Sequence, residues 1–312
     1  MKVIKSFLIN FLQITIIGFS TSCFGQEVAN APSEILFVGS TPGDTLIKSL
    51  LAVPASTKVD FIRWHLALDH KKENQNSFRL NISFGEALPN TLGFKRGGEK
   101  RTFHGLYAMD KSKNGKLTGH IYHLKSSDMP SGVSLIQVNS NLLHLLTPQN
   151  ELMVGNGGWS YTLNRANPMK TAEALPALTD LSTLQMDTVP QVFEGRTPCF
   201  PFAIDHGWPV TSGCLKLKWK VILHKSSIPS EPGTFSMRRI VNNEAGELLG
   251  TWQLLKGTAS DSEAMIYRLT PDNSETPVSL LLADDNVLFL LDNDGLLYTG
   301  NADFSFTLNK RE

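Results

Sequence analysis

One-sided charge is missing from this chain of 312 residues. Lys plus Arg and Asp plus Glu both number 29, so the formal charge is zero. Such a balance leaves no electrostatic footprint for nucleic acid or for an anionic membrane surface. Cysteine is scarce, at three, which excludes a disulfide-dense scaffold. Beyond the first 25 residues no apolar run approaches membrane-spanning length. Catalytic signatures are also lacking. There is no Gly-x-Ser-x-Gly elbow, no His-Glu-x-x-His, no phosphate loop and no dinucleotide fingerprint. The chain is therefore expected to be non-enzymatic, with no cofactor.

What is present is a duplication. Residues 105–165 return as 250–310, in register and without a gap. Gly155-Asn156-Gly157-Gly158-Trp159-Ser160-Tyr161-Thr162-Leu163-Asn164-Arg165 becomes Gly300-Asn301-Ala302-Asp303-Phe304-Ser305-Phe306-Thr307-Leu308-Asn309-Lys310. Upstream, with other loop lengths, Phe37–Gly43 matches Phe193–Cys199 and Val59–Leu68 matches Cys214–Leu223. Each copy is a control for the other. Positions that agree read as scaffold, and positions that differ are where function or decoration can sit. The units run over about 35–165 and 191–312. Each is large enough for its own core and is expected to fold alone.

The first 25 residues read as an export signal, with Lys2 and Lys5 before an apolar stretch from Phe7 to Phe19. Two processing routes stand open: cleavage before Gln26, or acylation at Cys23 within Ser20-Thr21-Ser22-Cys23. A lipid anchor at Cys23 is the one membrane attachment this sequence suggests. Residues 166–190 repeat nothing. With Pro168, Pro176 and Pro190 they read as a linker, with a helical turn near Ala172–Leu175.

Strand periodicity dominates elsewhere. Leu215, Leu217, Trp219, Val221 and Leu223 share one face, and Lys216, Lys218 and Lys220 share the other. In the first copy Ile62, Trp64, Leu66 and Leu68 point inward, and Arg63 and His65 point outward. Trp64 and Trp219 occupy the same position of the same strand and read as structural core. Turn signals recur every ten or so residues, the pattern of a sandwich or small barrel. Trp159–Leu163 and Phe304–Leu308 read as closing strands. A short helix is predicted from Asp44 as N-cap through Leu51. The fold class expected is mainly β: two tandem small antiparallel barrels with short helices.

Cys199 and Cys214 face Gly43 and Val59 in the first copy, so both are absent there together. A pair that comes and goes as a unit predicts a disulfide, closing an irregular loop of about 15 residues worth roughly 3 kcal/mol by chain entropy. Histidine does not make a metal site by the same comparison. His65 matches Lys220 and His123 matches Arg268, which places both on solvated strand positions, while His144 matches Phe289 and reads as a core or rim position. No metal-binding residues are expected.

The order Gly195–Cys199, Cys214–Leu223 with its Trp, Gly250–Trp252, Ile266–Leu269 and Asn286–Asp292 resembles the N-terminal domain of NlpE-type envelope lipoproteins. That resemblance implies a small antiparallel barrel related in shape to lipocalins, in a family linked to copper tolerance and surface sensing. The family's Cys-x-x-Cys is incomplete here: Cys199 holds its first position, Phe202 its second, and the first copy has neither. The fold and location carry over, and the metal chemistry does not. The function expected is an exported binding or stress-sensing module of the periplasm or cell envelope. Its partner would be an envelope protein or a small ligand. A lipocalin-like carrier of a small apolar ligand is the alternative, and an unrecognised hydrolase is a third.

Overall fold

A computed structural model describes residues 34–70, 76–114, 117–169, 190–226, 232–241, 244–257, 262–273 and 275–311. The expected signal with Cys23, the linker from residue 170 to 189 and its helical turn lie outside the described residues. Two closed eight-stranded antiparallel barrels follow one another along the chain. The first consists of β1 (Glu34–Pro42), β2 (Phe61–Asp69), β3 (Ser77–Gly85), β4 (Glu99–Asn114), β5 (Leu117–Ser126), β6 (Met129–Asn139), β7 (Leu142–Leu145) and β8 (Thr162–Arg165). The second consists of β9 (Gln191–Thr197), β10 (Leu217–His224), β11 (Gly233–Val241), β12 (Glu244–Lys256), β13 (Met265–Pro271), β14 (Val278–Leu282), β15 (Val287–Leu291) and β16 (Thr307–Arg311). Strands pair in chain order, and β1 against β8, like β9 against β16, closes each ring. Closure needs close backbone approach. A Cβ on Gly39 would lie 2.9 Å from the Thr162 carbonyl oxygen, and one on Gly195 would lie 2.6 Å from that of Thr307, which explains the glycine in both copies.

Inward-facing residues of every strand fill the barrels. Ile62, Trp64, Leu66 and Leu68 of β2 belong to the core of the first, and Leu217, Trp219, Val221 and Leu223 of β10 to that of the second. Both tryptophans are buried, and each indole N–H donates to the threonine of the preceding strand, Trp64 to Thr41 and Trp219 to Thr197, both at 2.9 Å. Leu215, expected to share that face, precedes the strand and is 50 % exposed.

The loop between the first two strands carries a helix in both copies. In the first, α1 (Thr45–Leu50) is capped by Asp44, whose carboxylate accepts from the Ile47 amide, and Ile47, Leu50 and Leu51 enter the barrel core. In the second, the loop expected to be irregular contains α2 (Phe202–Asp205). Phe202, Ala203 and Trp208 join that core. Phe202 meets Trp219 edge to face at 4.9 Å. The disulfide Cys199–Cys214 ties this loop down, with Cα atoms 6.1 Å apart. A tyrosine from the connection before each closing strand reaches each helix: Tyr161 donates to Asp44, and Tyr298 donates to Asp205 at 2.6 Å.

The closing strands begin later than the alternation of residues 159–163 and 304–308 predicts. Asn156 and Asn301 explain this. The side-chain oxygen of each accepts the amides two and three residues on, holding a tight turn where the strand was expected to start.

Residues 33–312 form one compact unit, because the barrels share a third apolar cluster. It joins Ile121, Ile136, Val138, Leu142, Leu146 and Leu152 to Ile266, Leu281, Ala283, Val287, Leu291 and Leu297, which are their own repeat counterparts, together with Ala264 and Phe289. Hydrogen bonds across the seam are reciprocal. The Gly300 amide donates to Asn164 and the Gly155 amide to Asn309, both at 2.7 Å. Ser160 meets Ser305 at 2.6 Å and Thr162 meets Thr307 at 2.9 Å, so each touches its own counterpart. Residues that touch their counterparts lie on a two-fold axis. The chain is a covalently joined pseudo-dimer.

Candidate functional site

At one edge of this seam the two barrels enclose a crevice of about 280 Å³. The first barrel contributes Phe61 and Arg63 from β2, Trp159 from the turn before β8, and the segment 87–92. The second contributes Arg196 from the closing part of β9, Lys216 and Lys218 around the start of β10, and Asp303 and Phe304 from the turn matching Gly158-Trp159. The pseudo-two-fold gives the crevice two halves, and they differ in composition. Phe61 corresponds to Lys216, Arg63 to Lys218, Ser40 to Arg196, Gly158 to Asp303 and Trp159 to Phe304.

A column of stacked groups forms one wall. The Phe94 and Phe61 rings lie 4.1 Å apart and nearly parallel, Phe61 and Trp159 lie 4.9 Å apart, and the Arg196 guanidinium sits 5.4 Å from the Trp159 ring centre. Arg63 flanks the same column, 5.7 Å from the Phe61 and Phe94 rings. On the opposite side Lys216 lies 5.6 Å from the Phe304 ring. Such contacts hold cations against ring faces and limit their freedom.

The charges are uneven. Arg63 donates to the Asp303 carboxylate across the seam and to the Leu92 carbonyl at 2.6 Å, so it is neutralised and fastens the overhanging segment. Among the described residues, Arg196, Lys216 and Lys218 have no carboxylate within ion-pair distance. Burial lowers the Arg196 pKa. Burial, then repulsion from Arg196 and Lys218, lowers that of Lys216. Desolvated cations gathered without a counter-ion favour any anion that enters.

The overhang belongs to the first copy alone. β3 ends at Gly85 and β4 begins at Glu99, whereas β11 ends at Val241 and β12 begins at Glu244. The longer connection places Ala87–Leu92 over the crevice, whereas only two residues separate the corresponding strands of the second barrel.

Lys216 and Lys218 were expected on a solvated strand face. The structure brings both to the crevice and leaves Lys220 outside it, facing Glu194 at 3.7 Å. Sequence reasoning passed over Arg196 and Trp159 as site residues. The available signal was the repeat itself, since Ser40/Arg196 and Phe61/Lys216 are changes of chemical class between copies. Trp64, Trp219, Cys199 and Cys214 lie in the barrel cores and the capping loop, outside this lining. His123 and Arg268 are half-buried, not solvated, and each meets a serine of the neighbouring strand, Ser134 at 2.9 Å and Ser279 at 2.8 Å. Among the described residues no cluster of three or more His, Cys, Asp or Glu is arranged to hold a metal. Comparisons with protein-family models, curated proteins and solved structures give no match.

Proposed function

We propose that this protein is a non-enzymatic, exported binding module of the cell envelope whose ligand site is the crevice between its two barrels. One observation carries the reading: cations without carboxylate partners, Arg196 and Lys216 foremost, gather in a crevice where the repeat departs from its own symmetry. The scaffold does not require them there, because Ser40 and Phe61 fill the corresponding places in the other half. The resemblance to NlpE-type lipoproteins supports the envelope location and a sensing role. The crevice is favoured over a lipocalin-like lumen because Trp64, Phe84, Phe235 and Phe306, all fully buried, occupy the barrel interiors. Its one carboxylate, Asp303, is already committed to Arg63, so the lining offers binding groups and no acid–base pair.

A thermal-shift screen of small molecules against the mature protein tests this. The expected hit stabilises the wild type, fails to stabilise Arg196→Gln and emerges chemically unchanged. A ligand indifferent to Arg196→Gln and Lys216→Gln would move the site elsewhere, and turnover of the hit would make the protein an enzyme.

A further inference from the structure

We infer that the crevice binds a phosphoryl dianion, either inorganic phosphate or the head of a small phosphomonoester. This deepens the proposed function and rests on it. Three lines of observation lead to this ligand class.

The first is charge. With Arg63 committed to Asp303, Arg196, Lys216 and Lys218 remain. A monocarboxylate would offset one of them. A phosphoryl group brings about −1.5 to −2 at neutral pH on a single centre, with three acceptor oxygens. That matches a site where several cations line one crevice, Arg196 from β9 opposite Lys218 of β10, with Lys216 just before that strand.

The second is geometry. Arg196 is held against the Trp159 face, and a guanidinium fixed in one plane presents a rigid fork suited to oxyanions. Two rings of the column are covered on both faces: Phe61 lies between Phe94 and Trp159, and Trp159 between Phe61 and Arg196. Phe61 and Trp159 therefore offer an aromatic ligand no free face, and charge and hydrogen bonding carry recognition.

The third is size. About 280 Å³ under the Ala87–Leu92 overhang accommodates a phosphoryl head with a short substituent. The overhang is fixed by Arg63 on the Leu92 carbonyl, so the crevice is built before a ligand arrives.

Calorimetry on the mature protein tests this, with inorganic phosphate, glycerol phosphate and succinate as separate titrants at low and moderate chloride. One phosphate site per chain is expected, weakening as salt rises because the lysines are partly exposed. Arg196→Gln should weaken it about tenfold to a hundredfold, and Lys216→Gln by a similar factor. Lys220→Gln, on the same strand but outside the crevice, should leave it unchanged. Each variant is first shown to melt cooperatively in chloride, which separates lost binding from lost folding. A preference for glycerol phosphate over inorganic phosphate identifies the monoester as the source, and the reverse identifies the free ion. Succinate binding that depends on Arg196, with phosphate inert, overturns the phosphoryl assignment and leaves the crevice as the site. Phosphate binding that survives both crevice substitutions, or no anion binding at all, overturns the inference.

Discussion

At the scale of single residues, Trp64 and Trp219 couple packing to polar satisfaction. Each fills a barrel core and directs its indole N–H at a buried threonine hydroxyl. Trp64→Ala is expected to cost about 3–5 kcal/mol through lost burial and the cavity left behind. Thr41→Val keeps the volume but strands the buried donor, at about 1–3 kcal/mol. Urea denaturation of both variants checks this, and a cost below about 1 kcal/mol for the alanine would mean the indole is not packed. His144 is the second instructive residue. It stands where the other copy has Phe289, fully buried at the seam and 5.9 Å from that ring. The Met153 carbonyl can only accept, so His144 Nε2–H donates to it and Nδ1 accepts from Thr162. Ser305 donates to Thr307, and the one consistent ordering then sends Thr307 to Thr162 and Thr162 to His144. A second ring proton would break that chain. Burial holds the His144 pKa down at about 4, against an opposing contribution from the Met153 carbonyl. The unfolded chain takes up this proton near pH 6.5 and the folded chain only near 4. The unfolded state thus binds more protons between those values, and stability falls as pH drops through that window, by about 3 kcal/mol in full. His144→Phe copies the other barrel and should remove this part of the pH dependence. Identical slopes for wild type and variant between pH 7.5 and 4.5 would discard the assignment.

Among the elements, the loop between the first two strands shows one anchoring problem solved in two ways. In the first copy α1 is held by its Asp44 cap and by Ile47 and Leu50 in the core. In the second, α2 is a single turn with no side-chain cap, and the Cys199–Cys214 bond spans 15 residues around it. The chain-entropy worth of such a bond is roughly 3 kcal/mol. Trp208 supplies a separate anchor, since its indole donates to Glu275 at 3.0 Å and lies under Arg239, which pairs with the same carboxylate. A Cys199→Ser, Cys214→Ser double variant should therefore lose up to that amount and still fold, with the near-ultraviolet signal of Trp208 and Phe202 altered. A non-reduced digest of the wild type should yield one peptide joining the two cysteines, and two alkylatable thiols in the folded protein would refute the bond. The strands that face solvent on one side were legible from alternation alone, as β2 and β10 show. Alternation also misled at residues 159–161, where an Asn side chain captures the backbone before the strand can begin. Leu142–Leu146 and Val287–Leu291 hold the signal that went unused. An apolar run without alternation marks a strand covered on both faces, here by the barrel core and by the neighbouring barrel.

For the whole molecule, duplication was legible and its consequence was not. Matching segments establish two barrels, but the pattern of one copy cannot say whether its outer face meets water or its twin. The crevice was hidden for the same reason: Arg196 and Trp159 come together only through the seam, and no spacing within either repeat brings them near. The two-fold arrangement also changes what separation of the copies should do. Each barrel has its own core, so residues 31–169 and 190–312 should each retain β structure when expressed apart. Each would then expose the apolar face made of Ile121, Ile136, Leu142 and Leu146, or of Ile266, Leu281, Val287 and Leu291. That face is nearly self-complementary, because its contacts join counterparts. Each fragment is therefore expected to self-associate, and a mixture to form the mixed pair preferentially, since only that pair restores the Arg63–Asp303 bridge and seats His144 against Phe289. Sedimentation of each fragment and of the mixture, followed by a thermal melt, checks this. Stable monomers that ignore each other in the mixture would show that the seam contributes little, and the interface would then be a by-product of the tether.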